Sequence, residues 1–235
     1  GDLLRIAPIR TASRTLHSQS ENKESNMIGT SILYEDDGLI VLNKKSGLAT
    51  HGGSGISRGV IESIRQERPK AKFLELVHRL DKDTSGCLMI AKKRSVLLAL
   101  QAAIISKNIT KTYELLVKER LPTRRERVCA PLLKNQLKSG QRVVVVDSRG
   151  KHSITNFKIL RLFKHNTLLQ ASIVTGRTHQ IRVHCQSVGQ PIAGDLRYGE
   201  KKYNSQLRLA GLRRLFLHAS SLSFNHPTSG EFFTV

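Results

Sequence analysis

Short apolar runs separated by polar turns fill most of the chain, and this pattern is typical of β-strands. The runs SILYED and GLIVLNK flank Asp37 and Gly38, a dipeptide that strongly favours a tight β-hairpin turn. Two further runs, FLELV and CLMIAKK, enclose the polar loop HRLDKDTSG. Other strand-like runs cover the ranges 110–119, 141–147, 153–163, 167–174 and 214–224. We therefore predict that most of the core is sheet.

Three segments show the helical spacing of apolar residues instead. They are 57–68, 94–107 and 178–189, the last with Thr178 as its N-cap and Gly189 as its stop. Only the first part of the chain alternates strand and helix. The sequence therefore predicts an α+β fold with a mixed, mainly antiparallel sheet and a few inserted helices.

The chain carries 39 Lys and Arg against 18 Asp and Glu among 235 residues, a formal net charge of +21. Because the surplus is spread along the chain, a polyanion is the expected partner. Nucleic acid fits better than an anionic membrane, since no apolar run approaches the ~18 residues of a spanning helix. We predict a cytoplasmic nucleic-acid-binding protein with no membrane segment.

The three cysteines, Cys87, Cys129 and Cys185, are far apart and form no C-x-x-C pair. Neither a disulfide framework nor a zinc site is indicated, and we interpret them as buried thiols in a reducing compartment. The glycine-rich stretch SGLATHGGSG lacks the pattern of a nucleotide-binding loop. The sequence therefore predicts neither a metal nor a cofactor.

The loop HRLDKDTSG places Asp81 next to Lys82 and close to Arg79, between two runs that we expect to be buried. We expect a carboxylate in this cationic setting to be ionised at neutral pH, where it can act as a nucleophile or a base. A loop salt bridge or a turn cap explains the same residues without chemistry. On the residues alone, both interpretations stay open.

Two other stretches are candidates for the same site. Residues 176–179, Gly-Arg-Thr-His, open the predicted third helix, and a helix start with a nearby cation favours an anion, either a phosphate or Asp81 itself. Arg182 lies one turn further along that helix, where it either contacts the ligand or faces solvent. Tyr113, in the run KTYELL, either stacks on a base or packs in the core.

Taken together, these motifs resemble those of the RluA family of pseudouridine synthases. HRLDKDTSG at 78–86 is similar to the signature of that family, and the other family blocks follow in order. These are LNKKSGLATHGG (42–53), KTYELL (111–116), GRTHQIRVH (176–184) and the run Asp-Leu-Arg-Tyr-Gly at 195–199. The resemblance covers about 31–235. One departure is Lys44-Lys45-Ser46-Gly47, where the family commonly has K-P-x-G, so the fixed φ of proline is missing.

The resemblance implies an enzyme that converts chosen uridines of 23S ribosomal RNA to pseudouridine in a central cleft. It implies that Asp81 is the catalytic carboxylate, that Tyr113 lies beside the uracil, and that Arg177 is the cation that holds Asp81. The residues expected to contact RNA are Arg79, Lys44, His51, Lys111, His179 and Arg182. An RNA-binding ribosome-assembly factor without chemistry is the alternative.

The family also implies a domain organisation. Residues 1–28 are expected to be a remnant of an N-terminal S4 RNA-binding domain plus a linker, and 29–235 the catalytic domain, with a truncated C-terminus. The expected assembly is a cytoplasmic monomer that binds the large ribosomal subunit RNA or its precursor.

Overall fold

The computed structural model describes residues 31–53, 58–119, 126–136 and 142–235. The predicted S4 remnant and linker at 1–28 lie outside these residues. Within the described part of the chain, no helix is long and apolar enough to cross a membrane.

The predicted hairpin at the start of the domain is confirmed. β1 (Ser31–Glu35) pairs antiparallel with β2 (Leu39–Lys44). The carboxylate of Asp36 holds the turn, because its Oδ1 accepts hydrogen bonds from the amides of Gly38 and Leu39, both at 2.7 Å. The carboxylate that holds the turn is therefore Asp36, one residue before the Asp37-Gly38 dipeptide from which the hairpin was predicted.

Most of the remaining strands join one sheet. The strands are β3 (Glu75–Leu76), β4 (Ser85–Ala91), β5 (Thr110–Lys118), β6 (Arg127–Cys129), β7 (Leu132–Gln136), β8 (Arg142–Val146), β9 (Ile154–Leu162), β10 (Asn166–Ile173), β11 (Leu217–Asn225) and β12 (Phe232–Thr234). The sheet order is β1-β2-β4-β11-β5-β10-β9-β6, with β3 added to β4 and β12 added to β11. Among the strands that the structure describes, only β4 and β11 pair in parallel. The prediction of a mixed, mainly antiparallel sheet is therefore confirmed.

In the described part of the chain, four helices cover this sheet: α1 (Val60–Glu67), α2 (Arg94–Ile105), α3 (Gln180–Ser187) and α4 (Lys201–Leu209). The first three were predicted to within a few residues. The predicted N-cap Thr178 is wrong, because α3 begins after His179, which adopts the left-handed conformation with φ 53°. α4 was not predicted, since only Tyr203 of that polar segment is buried.

The core lies on both faces of the sheet, and the alternation of side chains along β2 shows why. Ile40 and Leu42 face the side covered by α1 and α3, whereas Leu39 and Val41 face α2. β4 is buried along its whole length in the same way. In a strand that is covered on both faces, every side chain is buried, so apolar residues occupy nearly all positions. This explains the continuous apolar runs in the sequence.

The antiparallel pair β7–β8 forms a separate two-stranded sheet that packs on α3. Four buried side chains make this contact: Leu132, Val144, Val183 and Tyr198. The hairpin is therefore fixed to α3, the helix that contains most of the motif GRTHQIRVH (176–184).

Two of the three cysteines are buried, as predicted, but Cys129 is exposed. It ends the short edge strand β6, where only Val128 faces the core. The prediction of a buried thiol at Cys129 is wrong because the alternation of the strand points its side chain away from the core.

The parallel pairing of β4 with β11 fixes the loop that precedes β4. Gly86 pairs with Ala219, adopts φ +112°, and lies so close to the partner strand that a Cβ atom would be 2.1 Å from the Ala219 carbonyl oxygen. No other residue fits there without moving one strand. The glycine of HRLDKDTSG thus sets the position of the whole loop.

We expect Gly86→Ala to lower the free energy of unfolding by at least about 2 kcal/mol, because both the positive φ and the contact with Ala219 are unfavourable to a Cβ. Chemical denaturation monitored by circular dichroism would measure the loss. The matched control is Gly176→Ala, where a Cβ would meet nothing within 4 Å. Equal stability of the two variants would contradict this role for Gly86.

Candidate active site

A cavity of about 410 Å³ opens where three segments meet: the loop after β3, the start of β5 and the segment that enters α3. The predicted site residues that line it are Arg79, Asp81, Lys111, Tyr113, Arg177, His179 and Arg182. Residues more than 100 positions apart in the chain therefore meet as the sequence analysis proposed. Among the described residues, no group of three or more His, Cys, Asp or Glu is arranged to hold a metal ion.

Asp81 lies at the turn between β3 and β4. Its carbonyl oxygen accepts a hydrogen bond from the amide of Thr84 at 3.1 Å, which closes the turn. The side chain is 22% exposed, and it points into the cavity rather than into bulk solvent. The carboxylate is therefore partly shielded yet accessible to a ligand.

A buried arginine faces this carboxylate. Arg182 Nη1 lies 3.7 Å from Asp81 Oδ2, and the other side of the guanidinium makes two hydrogen bonds of 2.8 Å to Asp195. Burial lowers the pKa of Arg182, but the hydrogen bonds and charge of Asp195 outweigh this effect and raise the pKa above its usual value. The bidentate pair fixes the plane of the guanidinium, so that one edge is directed at Asp81.

Asp195 is itself held from several directions. Its Oδ1 also accepts hydrogen bonds from the amides of Arg197 and Tyr198, both at 2.9 Å. Burial raises the pKa of Asp195, but Arg182 and the two amides outweigh burial and lower it. The ionised pair is therefore a fixed element of the site.

His179 approaches Asp81 from a second direction, with its Nε2 3.8 Å from Asp81 Oδ2 and its Nδ1 2.7 Å from the Tyr198 hydroxyl. That hydroxyl already accepts a hydrogen bond from the Val144 amide at 3.0 Å. Among the described residues, the other hydrogen-bond contact of this buried O–H is His179 Nδ1, and we assign Tyr198 as the donor to it. The proton of the imidazole then lies on Nε2, which faces Asp81.

The environment also sets the charge of His179. Burial lowers its pKa, with Arg182 and Arg197 acting in the same direction and Asp81 and Asp195 opposing them. The net direction is downward, so the imidazole is neutral at neutral pH. A neutral ring with its proton on Nε2 is a hydrogen-bond donor. It does not place a second positive charge next to Asp81, in addition to that of Arg182.

Tyr113 forms part of the cavity wall. It is 8% exposed and belongs to the main core cluster. Burial raises the pKa of its phenol, and the charge of Asp81 raises it further, so the hydroxyl keeps its proton. The residue thus combines both roles that the sequence left open, since it packs in the core and also presents a surface to the cavity.

Comparisons with known proteins identify the chain. A sequence profile described as RNA pseudouridylate synthase matches residues 38–187. The chain belongs to this family. It is 52% identical to ribosomal large subunit pseudouridine synthase C of Yersinia pestis over 98% of this chain and 72% of that protein. Identity to the protein of that name from Escherichia coli K12 is also 52%, over 98% of this chain and 73% of that protein.

Solved structures of pseudouridylate synthases support the fold of this enzyme. Human RNA pseudouridylate synthase domain containing 1 superposes with a TM-score of 0.71 at 25% identity, covering 94% of this chain and 85% of that one. Human RNA pseudouridylate synthase domain containing 4 gives a TM-score of 0.70 at 24% identity, with 86% of each chain covered. The chain therefore has the pseudouridine synthase fold.

The structure corrects the predicted partner of Asp81 in this pseudouridine synthase. Arg177 is exposed in the loop before α3, where its Nε donates to the His152 carbonyl at 3.3 Å. The contact with Asp81 is made by Arg182, which lies in the buried first turns of α3. The prediction that Arg177 holds Asp81 is therefore wrong, although Arg177 does line the cavity.

The structure also corrects the predicted RNA contact of Lys44. Its side chain is fully buried, and its ammonium group donates to the carbonyl oxygens of Lys45, Leu48 and Lys82 at 2.8–3.0 Å. Burial lowers the pKa of Lys44 to about 8, although the nearby carboxylates oppose the shift. Lys44 joins its own loop to the Asp81 loop and is not available to RNA.

The other predicted RNA contacts have different exposures. Arg79 and His51 are exposed, and Arg79 lines the cavity, whereas His51 lies outside it beside Thr50. Lys111 lines the cavity and is partly buried, and burial lowers the pKa of its ammonium group to about 8. Asp195 and Tyr198 were not among the predicted site residues. Both belong to the family motif at 195–199, which could have indicated them. They are its buried residues, on either side of the exposed Leu196 and Arg197.

We expect Tyr198→Phe to release the tautomer of His179, because the variant keeps the ring but loses the O–H that donates to Nδ1. Nitrogen-15 NMR of the imidazoles would show a single Nε2–H form of His179 in the wild type and a mixture in the variant. Tyr34→Phe, which removes a hydroxyl bound to Asp36 instead, is the control. An unchanged His179 signal in Tyr198→Phe would contradict the assignment of the tautomer.

Proposed function

We propose that this pseudouridine synthase isomerises specific uridines of 23S ribosomal RNA, with Asp81 as the reacting carboxylate. The observation that carries the proposal is the position of Asp81 in the cavity, with Arg182 and His179 on one side and Tyr113 in the wall. The choice of large-subunit RNA is supported by the relatives named ribosomal large subunit pseudouridine synthase C, at 52% identity.

The reaction breaks the bond between uracil N1 and ribose C1′, turns the base, and joins C5 to C1′. The proton on C5 is lost and N1 gains one, so the change is an isomerisation without net oxidation or hydrolysis. Asp81 either attacks C1′ as a nucleophile or removes the C2′ proton to give a glycal, and both routes use the ionised form. The two routes share one requirement, a carboxylate oxygen at the ribose.

Arg182 and His179 prepare that oxygen in our proposal. A buried guanidinium 3.7 Å from Asp81 attracts a negative charge strongly where water is scarce. Both closest contacts, from Arg182 Nη1 and His179 Nε2, are made to Oδ2. We therefore assign Oδ1 of Asp81 to the ribose. Asp195 and Tyr198 act as positioning residues, because they orient Arg182 and His179 without reaching the substrate.

The uracil must leave its stack to reach Asp81, at a cost of about a few kcal/mol. The detached base must also be held while it turns. We assign this role to Tyr113, whose protonated phenol and apolar surroundings form the cavity wall beside Asp81. The positive charge of the protein supplies affinity for the RNA backbone around the target nucleotide.

We expect Asp81→Asn to lower kcat by at least roughly 10³-fold, because the amide can neither attack C1′ nor remove the C2′ proton. Its affinity for an rRNA fragment should stay within about threefold of the wild type, since the contacts to phosphate remain. Carbodiimide mapping of pseudouridine in 23S transcripts, together with a binding titration, measures both quantities.

Asp83→Asn is the matched control, since Asp83 is an exposed carboxylate of the same loop. The control should keep its activity. Full activity of Asp81→Asn would overturn the role of Asp81. Binding of rRNA by a wild-type protein that forms no pseudouridine would favour the assembly-factor alternative.

A further inference from the structure

A second cavity of about 420 Å³ lies beside the first, and residues 176–178 line both. Its floor is apolar, formed by Leu132 and Val144 of the β7–β8 hairpin. Leu133 and Thr178 also line it, and its other four side chains are basic: Lys134, Arg149, Lys151 and Arg177. The exposed Gly-Arg-Thr segment therefore borders both cavities.

The charge of this second cavity is not neutralised by its own lining. Among the described residues that line it, none is an Asp or a Glu. Arg149 pairs with Asp147 at 2.8 Å, but Asp147 lies outside the lining. Lys134 and Lys151 are exposed, and no ion pair to either is found within the described part of the chain. Two ammonium groups are thus available to a ligand.

The floor of the cavity is rigidly attached to the catalytic residues. Leu132 and Lys151 exchange two backbone hydrogen bonds of 2.9 Å, which fixes the strand after Gly150 against β7. Val144 packs on Tyr198 and donates its amide to the Tyr198 hydroxyl at 3.0 Å. The lysines therefore stand at a fixed place relative to His179 and Asp81 rather than on a free arm.

We propose that this second cavity binds phosphates of the RNA strand directly next to the target uridine. The proposal rests on the proposed function, because the first cavity must hold the everted uridine for its neighbours to reach the second. An RNA strand that leaves the catalytic cavity over residues 176–178 meets Lys134 and Lys151 with its next phosphates. Lysine suits this contact, since its ammonium group binds phosphate as a point charge. Such a contact does not depend on the identity of the base.

The test uses Lys134→Gln/Lys151→Gln, which removes both charges at exposed positions, and circular dichroism checks that the variant is folded. We expect its affinity for a short rRNA fragment to fall by roughly tenfold, and the log–log salt dependence to become shallower by about 1.4, that is, 0.7 for each lost contact. The control is Lys158→Gln/Lys201→Gln, two exposed lysines that line neither cavity. It should change affinity by less than about threefold.

Neutral methylphosphonates, placed singly at each phosphate around the target uridine, then locate the contact. In the wild type, one or two positions on a single side of the uridine should weaken binding. In Lys134→Gln/Lys151→Gln, methylphosphonates at the same positions should not weaken binding further, because the lysine charges that contact those phosphates have been removed.

Equal losses of affinity in both double variants would overturn the proposal, since charge anywhere on the protein would then suffice. The proposal would also be overturned if, for every methylphosphonate, the loss of binding free energy simply added to the loss caused by Lys134→Gln/Lys151→Gln. These measurements need binding but no turnover. Failure of the wild type to form pseudouridine in the same RNA would therefore remove the proposed function and leave the binding result to stand on its own.

Discussion

The buried ion pair between Arg182 and Asp195 is the contact on which the rest of the site depends. Its two hydrogen bonds of 2.8 Å leave one edge of the guanidinium free, and that edge faces Asp81. Breaking a buried pair by removing one partner costs about 3–5 kcal/mol, because a charge is left without compensation. The pair therefore joins the stability of α3 to the electrostatics of the reacting carboxylate.

Three separate segments converge on that pair from different parts of the fold. α3 supplies Arg182, the turn at 195–199 supplies Asp195 and Tyr198, and the β7–β8 hairpin closes over them through Val144. Lys44, at the end of β2, donates to the Lys82 carbonyl oxygen and so joins the Asp81 loop to that strand. The catalytic loop is thus held by contacts from several separate segments, which explains how a polar turn can hold a carboxylate in one place.

Local patterns in the sequence predicted most of the strands and three helices, but not β6, β7, β12 or α4, and together with the family resemblance they predicted seven residues of the first cavity. They did not show which arginine meets Asp81. That choice depends on the left-handed conformation of His179 and on the direction in which α3 leaves it, neither of which is visible in the residue pattern. Lys44 was misplaced for a similar reason, since its three carbonyl partners come from two different loops. A lysine at a strand end otherwise resembles a surface residue.

The parallel pairing of β4 with β11 has a consequence for how the protein is made. His218 and Ala219 must reach Ser85 and Gly86 across more than 130 intervening residues before the loop around Asp81 is fixed. Contacts of such long sequence separation form late in folding. During synthesis the residues up to β11 must therefore leave the ribosome before the carboxylate acquires its neighbours, and a nascent chain that stops short of β11 carries the signature residues without an assembled catalytic centre.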